Sequence, residues 1–154
     1  MIKILFVCHG NICRSPMAEF VMKDLVKKAG LADRFLIASA ATSREEIGND
    51  IHYGTKRILD RHQIPYERRA ARQMTAADLD AFDYVIGMDH YNLRNMERIC
   101  GKSEKLSLLL QEIGSDTDVA DPWYTGDFDA TYEDVDAGCR ALIEYILNDL
   151  ADKS

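Results

Sequence analysis

Short unbroken apolar runs alternate with longer amphipathic stretches along this chain. Ile2-Lys3-Ile4-Leu5-Phe6-Val7 is apolar but for one lysine and does not alternate, the pattern of a central strand buried on both faces. Residues 16–29 place Met17, Phe20, Val21, Leu25 and Val26 on one side, and Gly30 follows as a stop, which predicts a helix. Phe35–Ser39 predicts a second strand. Residues 52–61 predict a helix with Ile58 and Leu59 apolar, ended by Gln63-Ile64-Pro65. Thr75-Ala76-Ala77-Asp78 resembles a capping box and opens a short helix to Phe82. Tyr84–Met88 predicts a third strand, 90–99 a helix, and Lys105–Leu108 a fourth strand; Leu109–Ile113 leads to a Gly114-Ser115 turn. A long last helix is expected over 132–150, opened by Thr131-Tyr132-Glu133-Asp134, with Val135, Cys139, Leu142, Ile143, Ile146 and Leu150 on one stripe. No repeat, low-complexity tract or linker interrupts the order. Strand–helix alternation predicts an α/β fold: one domain over 1–154, an open four-stranded parallel sheet with helices on both faces.

Composition narrows the function classes. A chain of 154 residues suffices for one core, and 47% hydrophobic with 29% charged residues is ordinary for a globule. No run of 18 apolar residues occurs, so no membrane insertion is expected. The first apolar run is too short for a signal peptide, which points to the cytoplasm. A net charge of −7 argues against nonspecific binding of nucleic acid or anionic membranes. Any phosphate site must therefore rely on local donors. The four cysteines read as thiols, not as a disulfide framework, and Cys100 and Cys139 as structural. Neither a C-x2-C pair nor a histidine cluster suggests a metal.

The chemistry concentrates in Cys8-His9-Gly10-Asn11-Ile12-Cys13-Arg14-Ser15, between the first strand and the first helix. Five residues separate the thiol from the arginine. If the chain turns at once into a helix, the N–H groups of residues 9–14 converge on one concavity, a nest for a phosphate-like anion. Gly10 and Asn11 enter left-handed conformations cheaply. Arg14 forks two donors onto two phosphate oxygens. Ser15 suits an N-cap and Pro16 a first helical position; the Ser15 hydroxyl is also within plausible reach of the sulfur. Thiols at helix N-termini and beside arginine ionise readily, so position 8 is expected to hold a nucleophilic thiolate.

The octapeptide resembles the signature of the low-molecular-weight protein tyrosine phosphatases, C-x-G-N-x-C-R-S a few residues from the N-terminus. The chain length and further matches extend the resemblance over nearly the whole sequence. It implies that the phosphatase loop follows the first strand, that Ser39 hydrogen-bonds Asn11, and that Met88-Asp89 with Asn92-Leu93 matches the family's M-D-x-x-N-L. Asp89 then either caps the next helix or also orients Arg14. In well-known eukaryotic members an aromatic side chain walls the substrate pocket where this chain has Glu45, whose charge repels phosphate unless the substrate brings a cation. Arg44, Glu45 and Glu46 also fit solvated loop charges. The basic run Arg68-Arg69-Ala70-Ala71-Arg72-Gln73 is expected to face the acidic remainder of the chain, with anion attraction as the other option.

A phosphocysteine route needs an acid for the leaving oxygen and then a base for water. Asp121 precedes a proline, which holds it extended, and Trp123 and Tyr124 can flank an aryl group. By chemistry alone Asp116, Asp118, Asp127 and Asp129 remain rivals. The resemblance selects Asp121, because the family carries its acid in a D-P-aromatic-aromatic-G loop; here the glycine, Gly126, falls one place late. The family also implies a reversible disulfide between Cys8 and Cys13, where packing behind the loop is the plainer role. The expectation is thus metal-independent hydrolysis of phosphotyrosine in proteins, with no cofactor and with inorganic phosphate or other oxyanions as inhibitors. An arsenate reductase is the leading rival, weakened because Cys100 has no near partner. A phosphoarginine phosphatase ranks lower, since such relatives carry threonine where this chain has Ile12. A silent phosphopeptide-binding module is disfavoured by Cys8, Arg14 and Asp121 occurring together.

Overall fold

The computed structural model describes residues 1–115 and 117–153. Four parallel strands, β1 (Ile2–Cys8), β2 (Phe35–Ala41), β3 (Tyr84–Gly87) and β4 (Leu106–Leu108), form one open sheet in the order β2-β1-β3-β4. Six α-helices occur among the described residues: α1 (Arg14–Lys28), α2 (Tyr53–Arg61), α3 (Ala77–Ala81), α4 (His90–Cys100), α5 (Pro122–Thr125) and α6 (Phe128–Lys153). The chain steps from β1 outward to β2, then crosses back to β3 on the other side. That reversal opens a crevice at the carboxyl end of β1, where open α/β sheets bind ligands. Cys8 stands there, in register with Ala41 of β2.

β1 is buried on both faces, as its unalternating sequence predicts. Ile4, Phe6 and Cys8 enter the larger core with α1 and α6. Leu5 and Val7 enter a second core with Phe82, Val85 and Met96. Helices therefore cover both faces. Full burial of a side chain such as Phe6 contributes about 1.5–3 kcal/mol over leaving it in water.

Three helix starts differ from expectation: α3 begins at Ala77 behind Ala76, with no side-chain cap from Thr75, and two others bear on the site. α1 begins at Arg14, so Ser15 is no N-cap; it sits inside the first turn and its hydroxyl is spent elsewhere. The loop runs directly into the helix, which places the first-turn N–H groups over the site. α6 begins at Phe128, ahead of Thr131. The Thr131 hydroxyl donates to the carbonyls of Ala120 and Asp127, at 3.0 and 3.3 Å, and caps nothing. Val135, Cys139, Leu142 and Ile146 are buried as the stripe requires, whereas Leu150, 39% exposed, has run past the sheet.

Candidate active site

The loop after β1 is built inside out. The carbonyl of His9 accepts from the N–H and hydroxyl of Ser43, at 3.1 and 2.9 Å. The carbonyl of Ile12 accepts from His52 N–H at 2.8 Å, and that of Cys13 from the Thr55 hydroxyl at 3.2 Å. The Asn11 carbonyl accepts from the Arg69 guanidinium. All these partners lie outside the loop's concavity. In a trans peptide the next N–H points the opposite way, so the amides of Gly10, Ile12, Cys13 and Arg14 turn inward. The result is an anion nest at the start of α1.

Cys8 lies at its floor, 3% exposed. Its sulfur faces the N–H of Asn11 at 3.3 Å, the N–H of Ser15 at 3.4 Å and the Ser15 hydroxyl at 3.0 Å. Asn11 Nδ2 donates to Ser15 Oγ at 2.8 Å, so the hydroxyl proton can point at sulfur, with the Ala40 carbonyl at 3.5 Å as the other acceptor. Two backbone N–H groups and one hydroxyl thus face the sulfur.

Asn11 is the keystone behind the loop. It is buried and adopts φ 60°, the left-handed conformation expected of it. Its Nδ2 also donates to Ser39 Oγ at 2.9 Å, which in turn donates to Glu19 at 2.6 Å; Lys23 closes the chain on Glu19 at 2.6 Å. Its Oδ1 accepts from Arg72 N–H at 3.3 Å. The Asn11 side chain is thus turned away from the cavity. The basic run divides: Arg72 pairs with Asp78 at 3.0 Å, as expected, while Arg69 reaches under the loop. Burial lowers the Arg69 pKa, with Glu19, Cys8 and Asp50 opposing. Asp50 receives the Arg69 N–H at 3.1 Å and Lys56 at 2.7 Å. Burial would raise its pKa, but these bonds hold it at about 2.

Arg14 is 2% exposed, and three of its five N–H donors are engaged. Its Nη1 donates to Asp89 Oδ2 at 2.7 Å and to the Val119 carbonyl at 2.9 Å, and its Nη2 to Asp121 Oδ2 at 3.4 Å. Burial pulls the guanidinium pKa down, yet Cys8, Asp89 and Asp121 outweigh it and the net shift is upward. Asp89 performs both roles open in the sequence: Oδ1 caps α4 through Asn92 N–H at 2.6 Å while Oδ2 holds Arg14.

Asp121 reaches the site because Val119 N–H bonds the Met88 carbonyl at 2.8 Å, pinning its loop to the end of β3. Its Oδ1 accepts Trp123 N–H at 3.0 Å, leaving Oδ2 toward Arg14. The rival carboxylates are occupied elsewhere: Asp118 on His90 at 2.6 Å, Asp127 on Ala130 N–H at 3.0 Å, Asp129 on Arg61 at 2.7 Å. Asp116 lies outside the described residues. The cavity, about 100 Å³, is floored by Cys8, His9, Gly10, Ile12, Cys13 and Arg14 and walled by Glu45, Glu46, Asp121 and Trp123. Tyr124, 84% exposed, is not part of that wall. A larger cleft of about 310 Å³ at Phe20, Lys23 and Tyr66 is lined by no cysteine.

Residues 3–152 match the family model of the low molecular weight phosphotyrosine protein phosphatases. The chain belongs to this family, a family of hydrolases. It is 42% identical over 150 residues to the low molecular weight protein-tyrosine-phosphatase YfkJ of Bacillus subtilis, covering 95% of this chain and 96% of that one. The crystal structure of YfkJ superposes with a TM-score of 0.92 over 97% of this chain and 96% of that one. SP-PTP, the low molecular weight protein tyrosine phosphatase of Streptococcus pyogenes, is 44% identical over 94% of this chain and 93% of that one, with a TM-score of 0.85. An arginine phosphatase from Drosophila is 29% identical over 94% of this chain and 98% of that one, with a TM-score of 0.86.

In this phosphatase Glu45 lines the mouth of the cavity. Glu45 faces the cavity and its Oε2 lies 2.9 Å from His9 Nε2, so the loop carboxylate is engaged across the mouth. Three contributors escaped sequence reasoning: Arg69, Glu19 and the Val119 carbonyl. Each acts through a long-range contact that no local motif announces.

Proposed function

We propose that this protein hydrolyses phosphotyrosine in proteins, and small aryl phosphates, without a metal and through a phosphocysteine. The reading is carried by the convergence of Cys8, Arg14 and Asp121 on one cavity of about 100 Å³. Phosphate oxygens lie against the inward amides and Arg14, which gives up its long contact to Asp121 for the anion. Cys8 sulfur attacks phosphorus; the S–P bond forms as the P–O bond to the phenol breaks, and Asp121 gives its proton to that oxygen. Charge moving onto the equatorial oxygens meets donors already in place. Asp121 then takes a proton from water, whose oxygen displaces sulfur. The Ser15 hydroxyl, 3.0 Å away, stabilises the departing thiolate. Exposed Trp123 favours an aryl leaving group on the rim.

Cys13 has its pKa raised to about 12 by burial and by Cys8 and Asp121, and so stays a thiol while Cys8 reacts. We assign it the resolving role after peroxide converts Cys8 to a sulfenic acid: the disulfide forms and water leaves. The whole chain acts as one phosphatase domain, inhibited by inorganic phosphate and other oxyanions, with no nucleic-acid partner. No described helix is long and apolar enough to cross a membrane. The four free cysteines fit a reducing compartment, the cytoplasm.

The test is nitrophenol release from p-nitrophenyl phosphate in EDTA, with Cys8→Ser as control. Turnover by the parent and its loss in the variant are expected. Turnover that persists in Cys8→Ser, or that vanishes in EDTA, overturns the mechanism. Faster turnover of phosphoarginine than of phosphotyrosine peptides would reassign the substrate class.

A further inference from the structure

We propose that the substrate polypeptide beside the phosphotyrosine docks in an aromatic groove running from Trp123 to Arg57, and that the groove selects an apolar side chain followed by an acidic one. This rests on the phosphatase reading and adds the chemistry of the flanking residues.

Two adjoining hollows, each about 260 Å³, extend the catalytic cavity along the surface. The first shares Trp123 with that cavity and is lined by Tyr53, Pro122 and Phe128. The second shares Tyr53 and Phe128 with the first and ends at Arg57 and Arg61. Shared walls thus link the three hollows from nucleophile to arginines. The walls are apolar and open at the near hollow, where Tyr53 is 68% exposed and Trp123 59%, and mainly polar at the far one. They are also held in place. His52 stacks on Tyr53 at 4.4 Å and on Phe128 at 5.3 Å and meets Trp123 edge-on at 5.8 Å. Exposed aromatic rings fixed in this way beside a reaction centre have the anatomy of a binding hot spot, with large contact area and little rotamer entropy left to lose.

Charge decides the far end. Arg61 is neutralised by Asp129 at 2.7 Å, whereas Arg57 makes no ion pair among the described residues. In a chain of net charge −7, an unpaired arginine at the polar end of a groove that begins beside the active site marks where the partner is negative. The occupant is therefore a phosphoprotein segment with an apolar residue over Tyr53 and Phe128 and an aspartate or glutamate reaching Arg57.

Arg57 and Tyr53 are exposed, so their replacement leaves the core intact. The test compares kcat/KM for p-nitrophenyl phosphate and for three phosphotyrosine peptides that differ only in the flank: apolar-acidic, apolar-lysine and glycine-glycine. Arg57→Glu should leave p-nitrophenyl phosphate unchanged, lower the acidic peptide about fivefold through KM, and raise the lysine peptide. Tyr53→Ala should lower both apolar-flanked peptides about tenfold and spare the glycine one. Equal treatment of the three peptides by the parent, or an equal effect of Arg57→Glu on all three, overturns the proposal. Binding of the same peptides to the Cys8→Ser protein reads the groove without turnover. Discrimination in binding with no turnover by the parent would sink the phosphatase reading and keep the groove; turnover without discrimination does the reverse.

Discussion

Arg14 Nη2 and Asp121 Oδ2 stand 3.4 Å apart across 107 residues of sequence. The contact is long for a charge-assisted bond, so it is easily exchanged for a phosphate oxygen. Replacing Asp121 with alanine should slow turnover about 10²–10⁴-fold, most for phenols of high pKa and least for nitrophenol. It should also tighten inhibition by inorganic phosphate, since a carboxylate competing for Arg14 is gone. A leaving-group series and a phosphate titration check both; slowing that is equal for every phenol would place the acid elsewhere.

Arg69 touches neither the nucleophile nor the cavity, but it holds the Asn11 carbonyl outward. Losing a hydrogen bond from a charged donor costs about 1.5–3 kcal/mol, so Arg69→Ala should lower kcat/KM roughly tenfold to a hundredfold. Arg69→Lys should recover part of that. Because the nest shapes the anion site, inhibition by phosphate should weaken in parallel, which a merely destabilising change would not produce. Unaltered phosphate inhibition would remove Arg69 from the loop's support.

His52 caps α2 by accepting Gly54 N–H on Nδ1 at 3.0 Å, a role open only to the neutral ring. Burial lowers its pKa below the ordinary 6.5, with Glu46 opposing. A depressed folded-state pKa means the cap's contribution is complete above about 6.5 and is lost as pH falls through the folded value. Melting temperature should therefore drop between pH 7 and pH 5. His52→Asn keeps a capping side chain without the titration, so its melting curve should flatten in this interval. An identical slope in both proteins would show that another group titrates.

Gly54 occupies the first turn of α2, where alanine would ordinarily gain about 1 kcal/mol. A Cβ there would lie 2.4 Å from Phe128 Cζ. Gly54→Ala should instead destabilise by about 1–3 kcal/mol, read by denaturant unfolding. A neutral or stabilising result would mean the ring yields freely.

The octapeptide and the order of strands and helices were legible because both are local: a strand buried on two faces, a glycine-asparagine turn and a thiol six positions before an arginine need no distant partner. Asp121 was legible only through the family's Asp-Pro loop, since its neighbours offer the same chemistry. Ser15 and Thr131 misled for one reason. Both are good capping residues, but tertiary demand outbid the cap, the sulfur of Cys8 for one and the Ala120 carbonyl for the other. Arg69 was hidden among basic neighbours; which of them faces solvent and which faces the loop depends on where β2 ends.

Thr131 moors the segment bearing Asp121 to α6, the last element of the chain. A ribosome delivers the two halves of the reaction far apart in time. The nascent polypeptide owns the sulfur of Cys8 well before the carboxyl of Asp121, so the two meet only after the segment that Thr131 moors has been made. Unravelling of the first turns of α6 would likewise release that mooring, while the hydrogen bonds behind the Cys8 loop come from other elements.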